Sequence, residues 1–171
     1  MTDQDLGTVT LEDGDYVVRF ERLIRHPQDK VWRAITESEH LVHWLPCDIV
    51  GERRAPAEIT LPFWPAHVEK YGIATPVMDG SIVVWEPPSM FEWWWSTDRL
   101  RWELEEAEGG TRLRFTTWLG PHGMGAANTA AGYHVCLTNL QTLLDTGSAP
   151  PLVDADTVAL EALYREVVGV S

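Results

Sequence analysis

Residues 91–95 read Phe-Glu-Trp-Trp-Trp, and this run decides the fold that we expect for the chain. Aromatic residues favour β-strands, and successive side chains of a strand point to opposite faces of the sheet. We therefore expect the first, third and fifth residues of the run, all aromatic, to share one face, with Glu92 and Trp94 on the other. Three bulky rings on one face need an apolar cover, so the run predicts a sheet that packs against a helix.

The segments around this run predict an antiparallel sheet. We expect four consecutive strands, at 81–85, 90–96, 100–105 and 111–118. Turn-forming residues separate them, namely Pro87-Pro88, Asp98 and Gly109-Gly110. In the third strand Leu100, Trp102 and Leu104 alternate with charged residues, so one face of the sheet is solvated and the other is covered.

The cover is predicted to be a long helix at 125–144. Its apolar residues recur at helical spacing, and Gly147 lies just past its end. These residues are Tyr133, Cys136, Leu137, Leu140, Leu143 and Leu144. A shorter amphipathic pattern at 156–168 predicts a final helix, with a Glu161–Arg165 pair on its exposed side. That helix packs either on its own sheet or on a second subunit, so a homodimer is possible.

Ahead of the sheet, we expect a strand at 16–21 followed by two short helices. The first helix places Val31, Trp32 and Ile35 on one stripe. The second is expected to be capped by Ser38 and stopped by Pro46, with its apolar residues inward. These are Leu41, Val42, Trp44 and Leu45.

The segment between these helices and the sheet is harder to interpret. We expect strands at 48–52 and 58–63, and an irregular loop or lid at 62–67, where two prolines lie close together. The chain as a whole then divides into a flexible amino terminus at 1–14, one α+β domain at 15–146, and a linker with a helical extension at 147–171.

Four motifs in this order give the chain a family resemblance. They read RHPQDKVWRAIT at 25–36 with HWLP at 43–46, GSIVVWEPP at 80–88, GTRLRF at 110–115 and GYHVCL at 132–137. They resemble domains related to the Hsp90 ATPase activator Aha1, a branch of the START-like (SRPBCC) superfamily. The resemblance covers about residues 16–145 and implies a helix-grip fold, a curved antiparallel sheet wrapped around a long carboxy-terminal helix that encloses a cavity. Between Arg53 and Asp79 the chain departs from the family pattern.

Composition excludes several classes of function. The net charge of −13, from 13 Lys+Arg against 26 Asp+Glu, argues against nucleic acid and anionic membranes as partners. Cys47 and Cys136 lie far apart with no CxxC spacing, which favours a reduced, cytoplasmic protein. The acidic amino terminus does not resemble a secretory signal. No nucleotide-binding or catalytic motif indicates a cofactor or covalent chemistry.

Nine tryptophans indicate where a ligand would bind. Rings on the covered face of the sheet, with residues of the long helix opposite, could line a cavity for a flat or apolar molecule, and indole N–H groups could orient its polar atoms. Ordinary core packing is the alternative interpretation. The predicted ligand-binding residues are Trp44, Phe63, Trp64, Trp85, Phe91, Trp93, Trp95, Trp102, Phe115, Tyr133 and Leu137.

Polar residues offer weaker candidates for chemistry. His40, His43 and Cys47 have helical spacing, but Pro46 interrupts the helix, so we predict surface and packing residues and no metal site. His67 with Glu69 could act as a general base pair, although a solvated loop explains them better. The remaining polar candidates flank the long helix and are expected to be hydrogen-bonded to neighbours. They are His122, Asn128 and His134.

Three hypotheses for function follow. The first is binding of a small hydrophobic or aromatic molecule in a cavity between the sheet and the long helix. The second is an enzyme of cyclase or dehydratase type that uses the same cavity and needs a base such as His67 or His134. The third is a protein-interaction module like the chaperone activator that the family resemblance names.

Overall fold

A curved, open antiparallel sheet wraps one face around a long helix in the computed structural model, which describes residues 5–121 and 125–168. Over these residues the strand order is β1-β2-β7-β6-β5-β4-β3. The strands are β1 (Thr8–Glu12), β2 (Asp15–Ile24), β3 (Ala57–Pro62), β4 (Val77–Glu86), β5 (Met90–Trp95), β6 (Asp98–Ala107) and β7 (Gly110–Trp118). The helices are α1 (Gln28–Thr36), α2 (Ser38–Leu41), α3 (Pro65–Tyr71), α4 (Ala126–Thr146) and α5 (Val158–Val167). The α+β helix-grip fold is confirmed.

The alternation predicted along β5 is also confirmed. Phe91 and Trp93 are at most 1% exposed and pair with Trp102 and Leu100 of β6, which are equally buried. We call the face that carries these residues the inner face. Glu92 belongs to the opposite, outer face, where it pairs with Arg101.

A β-bulge in β4, which the sequence did not indicate, lets residues on both sides of the bulge share the inner face. Ile82 pairs with Trp93, but Val84 pairs with Glu92, because the register shifts between Ile82 and Val84. One extra residue on β4 re-aims the side chains beyond it. As a result Trp85, three positions after Ile82, pairs with the inner-face residue Phe91.

The long helix α4 covers the inner face as predicted. It begins after Gly125 and ends at Gly147, whose φ of 83° is readily adopted by glycine. Its buried apolar residues include all six that the helical spacing identified. Helix α1 covers another part of the sheet with Val31, Trp32 and Ile35, also as predicted.

Helix α2 is shorter than expected. Ser38 is its first residue and does not cap it. The backbone N–H groups of His43 and Trp44 bond to carbonyls three residues back, so the chain tightens into a 3₁₀-type turn after Leu41. This turn leaves Val42 42% exposed, contrary to the prediction, while Trp44 and Leu45 remain buried.

The segment before the sheet corrects two further predictions. Residues 48–52 form no strand but only the isolated bridge Val50–Thr60, with Cys47–Phe63 beside it. The expected irregular loop at 62–67 is instead the end of β3 and the start of helix α3. Pro65 occupies the start of α3, where its missing N–H costs nothing, and Gly72 ends it at a φ of 57°.

Both ends of the described chain pack on the same side. β1 lies within the 1–14 segment, where we expected no element, and pairs with β2 along its length. Helix α5 packs on α4 and β1 of its own chain, with Leu160 and Tyr164 buried. Arg165 and Glu161 lie 3.6 Å apart and form the predicted pair, but Glu161 is not on the exposed side, because its carboxylate also accepts a hydrogen bond from Asn128 of α4. Among the described helices, none has the length and apolarity that a membrane crossing needs.

Candidate functional site

One row of contacting rings runs along the β5 side of the inner face. We call it the β5 aromatic row, and its members in order are Trp32, Trp85, Phe91, Trp93, Trp95 and Phe63. Centroids of successive rings lie 5.2 to 6.1 Å apart. Five of these six residues were predicted to bind a ligand. Trp32, on α1, was assigned only to a packing stripe.

A second row joins the sheet to α4. We call it the central aromatic row. Trp102 stacks on Phe115 with centroids 4.0 Å apart, Phe115 contacts Tyr133 of α4 at 4.7 Å, and Trp44 meets Trp102 edge-on at 5.3 Å. Since Phe91 pairs with Trp102 across β5 and β6, the two rows are neighbours on the inner face.

The two rows contain every predicted ligand-binding residue except Trp64 and Leu137. Leu137 is buried in α4, and the indole N–H of Trp64 donates to the backbone oxygen of Leu45, 2.8 Å away. Most of these rings pack directly against one another, as in any protein core. Trp85, Trp95 and Phe63 are the half-buried members of the β5 row, and Trp85 and Trp95 lie on either side of Phe91 and Trp93.

Two buried polar atoms on the inner face lack the partners that buried polar atoms normally have. Nε1 of Trp93 and Oγ1 of Thr117 have no hydrogen-bond partner among the described residues, although Trp93 is 1% and Thr117 0% exposed. Both residues pair with Leu100, one from β5 and one from β7, so they lie on one cross-strand line. Two strand spacings put their Cα atoms about 10 Å apart. We call these two atoms the buried polar pair.

A third polar group, the phenol of Tyr133 on α4, contacts Phe115 of the inner face. Burial raises the pKa of the Tyr133 phenol well above its usual value, and the nearby Asp98 carboxylate raises it further, so the phenol stays protonated. Asp98 starts β6, where it pairs with Trp95 and accepts a hydrogen bond from the Gly120 N–H, 2.7 Å away. Burial raises the pKa of Asp98, an effect that the Gly120 bond opposes. Hydrogen-bonding groups therefore lie near the Trp95 end of the β5 row.

An open groove lies at the other end of that row. It has a volume of about 610 Å³ and is lined by Trp32, Trp85, the carboxy-terminal end of α1 and residues of the 48–53 loop. Arg53 crosses from the loop to α1, where its Nε donates to the backbone oxygen of Thr36 at 3.0 Å. Of the first two rings of the β5 row, Trp85 is half-buried at this groove and Trp32 is buried, with 8% of its surface exposed.

The histidines proposed as bases are placed differently. Nδ1 of His134 is 2.9 Å from the Tyr164 hydroxyl, and burial, helped by the charge of Arg22, lowers the pKa of His134 to about 4. A base of that pKa takes up few protons near neutrality. The hydrogen bond to Tyr164 accounts for the position of His134. His67 is buried on α3, and Glu69 is exposed on the same helix. Two helical positions turn through about 200°, so the pair does not share a face.

The other polar candidates have local explanations. Asn128 donates to the Glu161 carboxylate of α5 at 2.8 Å. His40 lies at the surface within 3.6 Å of Glu37, whereas Cys47 is fully buried, so the expected surface and packing roles match what we observe. His122 lies outside the described residues.

Three residues of this region were missed by the sequence analysis. Trp32 was identified as apolar but not as a neighbour of Trp85. Asp98 was read as a turn residue, and Thr117 as an ordinary strand residue. The absence of partners around the buried polar pair depends on three-dimensional packing, and no local pattern in the sequence signals it.

Solved structures share this fold at low sequence identity. A conserved protein of unknown function from Enterococcus faecalis is 22% identical, with a TM-score of 0.76 over 94% of this chain and 88% of its own. CalU16 of Micromonospora echinospora is 15% identical, with a TM-score of 0.65 over 96% of this chain and 94% of its own. A protein from Mesorhizobium loti is 20% identical, with a TM-score of 0.62 over 75% of this chain and 96% of its own.

No curated protein matches the chain. The model of one protein family, described as "Activator of Hsp90 ATPase homolog 1-like protein", matches residues 25–145. These residues run from α1 into the last turn of α4 and contain both aromatic rows. The strands β1 and β2 and the helix α5 lie outside them. The match confirms the resemblance drawn from the four motifs, and the chain belongs to the Activator of Hsp90 ATPase homolog 1-like family.

Proposed function

We propose that this chain binds a small, flat and mostly apolar molecule that carries a hydrogen-bonding oxygen, between the inner face of the sheet and α4. The buried polar pair carries this proposal. A buried polar group without a partner costs about 1 to 3 kcal/mol, and a ligand oxygen next to Trp93 Nε1 would remove that cost.

The aromatic rows supply the rest of the binding surface. Ring faces along β5 and β6 give a flat molecule a large contact area at a low cost in side-chain entropy. The half-buried rings of Trp85, Trp95 and Phe63 are the members of the β5 row that a ligand can contact from solvent. An open groove lined by Trp32 and Trp85 lies at one end of the same row.

Calorimetric titration with two matched probes tests the proposal. Fluorene and 9-fluorenone have nearly the same size and shape, and only the second carries a carbonyl oxygen. One added hydrogen bond is worth about 1 kcal/mol, so we expect fluorenone to bind about fivefold more tightly than fluorene. Trp93→Phe keeps a ring but removes the N–H donor, and Thr117→Val keeps the shape but removes the hydroxyl. Both substitutions are expected to reduce the preference.

Trp94→Phe on the outer face is the matched control and should leave the preference unchanged. If neither probe bound at concentrations near its solubility limit, the proposed function would be wrong. Binding of both probes with equal affinity would retain an apolar site and remove the role of the buried polar pair. We further propose a cytoplasmic location, which is supported by the two free, buried cysteines, Cys47 and Cys136.

An activator-like interaction with a chaperone is the second candidate function, and membership of a family named after an Hsp90 ATPase activator favours it. Such a role would use an exposed surface and not the inner face. Purified chain added to purified Hsp90 in an ATPase assay tests this candidate. Stimulation that persists in Trp93→Phe would favour it over small-molecule binding, and no stimulation would reject it.

A further inference from the structure

The outer face of the sheet carries a second, separate arrangement of tryptophan and arginine. Trp94 of β5 pairs with Arg99 of β6, which pairs in turn with Trp118 of β7, so the three residues follow one another across the strands. The guanidinium carbon of Arg99 lies 3.8 Å from the centre of the Trp118 ring, a cation–π stack. All three side chains are half-buried. We call them the outer tryptophan–arginine row.

The neighbouring arginines of the outer face are all paired with carboxylates. Arg19 pairs with Glu12, and Arg101 with Glu92. Arg112 and Arg114 both pair with Glu21 and Glu105, at 3.2 to 3.5 Å. The sheet surface therefore consists of alternating charges that satisfy one another, a common device on solvated strands.

Arg99 differs from these arginines. Among the described residues no carboxylate lies within ion-pair distance of it, and its buried Nε has no hydrogen-bond partner. A guanidinium presents five N–H donors in a plane, and it forms its strongest bonds with both oxygens of one carboxylate. An unpaired arginine between two tryptophans is unusual in a chain with twice as many acidic as basic residues.

We propose that the outer tryptophan–arginine row is a docking surface for an acidic segment of a partner protein. A carboxylate of the partner binds Arg99, and apolar side chains next to that carboxylate pack on Trp94 and Trp118. Tryptophan and arginine are the residue types that contribute most to binding at protein interfaces. An exposed sheet face suits a peptide or protein better than a small molecule, since small-molecule sites are concave. A guanidinium bonds both oxygens of one carboxylate in its plane, so we assign the anion as the carboxylate of an Asp or Glu side chain.

Selection of random peptides displayed on phage tests this proposal, with the full chain immobilised. We expect the selected peptides to contain Asp or Glu next to Trp, Phe or Leu. A synthetic copy of the strongest peptide should bind Arg99→Gln at least tenfold more weakly than the unchanged chain, because a hydrogen bond to a charged group is lost. Arg112→Gln, which removes a paired arginine from the same face, is the control and should bind within twofold of the unchanged chain.

Arg99→Lys is a second variant that keeps the test decisive if Arg99→Gln fails to fold. It keeps the charge but loses the planar group, so binding should be weakened less than in Arg99→Gln while thermal melting stays near that of the unchanged chain. Selection without acidic residues, or equal binding to Arg99→Gln, would overturn the proposal. So would sedimentation showing that the unchanged chain self-associates through this row and that Arg99→Gln does not, since a second copy would then be the occupant. Loss of fluorenone binding would leave this proposal unaffected, because the outer face is separate from the inner one.

Discussion

The hydroxyl of Tyr164 on α5 lies 2.9 Å from Nδ1 of His134 on α4, and it also accepts a hydrogen bond from the Gly7 N–H at 2.8 Å. One buried side chain thus ties the last helix to the long helix and to the residue that precedes β1. Phe20 of β2 meets both rings edge-on, at 6.1 Å for His134 and 6.3 Å for Tyr164. The carboxy-terminal helix is therefore an integral part of the described fold.

Tyr164→Phe should destabilise the protein by about 1 to 3 kcal/mol, because it leaves the Gly7 N–H and the His134 ring without their buried partner. Chemical denaturation followed by far-ultraviolet circular dichroism measures this change. Tyr71→Phe removes the hydroxyl of an exposed tyrosine and is the matched control. A Tyr164→Phe variant as stable as the unchanged protein would show that the hydroxyl contributes nothing to the attachment of α5.

Stability should fall in mild acid because of His134. Its pKa in the folded state is about 4, lowered from 6.5 mainly by burial and also by Arg22. The unfolded chain therefore takes up this proton at a higher pH than the folded chain does. The contribution is present above pH 6.5 and is lost as the pH falls towards 4, by roughly 3 kcal/mol.

Free energies of unfolding at pH 7, 5.5 and 4.5 test this prediction. His134→Gln keeps a hydrogen-bonding group next to Tyr164 but cannot titrate, so its stability should decline less with acid than that of the unchanged protein. Parallel curves for His134→Gln and the unchanged protein would contradict the low pKa of His134.

Gly132→Ala should stabilise the protein by about 0.5 to 1 kcal/mol. Gly132 lies inside α4, and a Cβ at this position would meet no atom within 4 Å, so alanine gains helix propensity without a clash. Gly80→Ala provides the contrast, because its Cβ would lie 2.1 Å from the backbone oxygen of Trp94. Thermal melting of both variants measures the difference, and a destabilised Gly132→Ala would show that the space beside α4 is occupied.

The parts of the fold that follow a simple period could be predicted from the sequence. The meander from β4 to β7 was located because aromatic and charged residues alternate there, and α4 because its leucines repeat at helical spacing. Helix α3 was missed although Pro65 and Gly72 are a standard start and end, because two nearby prolines suggested a loop. The bulge between Ile82 and Val84 was missed because it depends on the pairing with β5.

Only part of the candidate site could be predicted from the sequence. Phe91, Trp93 and Trp102 could be assigned to the inner face, because side chains alternate between the two faces of a strand and large rings favour the buried face. Whether Nε1 of Trp93 has a partner depends on what β6, β7 and α4 bring next to it. The pairing of Trp32 with Trp85 joins residues 53 positions apart, and no local pattern in the sequence predicts it.

Proton–nitrogen correlation NMR of the indole groups tests the central claim most directly, because each tryptophan gives one signal and Trp93→Phe identifies that of Trp93. On addition of 9-fluorenone we predict that the Trp93 indole proton shifts downfield, as expected for a new hydrogen bond to the carbonyl oxygen. Fluorene should move neighbouring indole signals without this downfield change. A Trp93 signal that stays fixed while fluorenone shifts other indoles would contradict the proposed role of the buried polar pair.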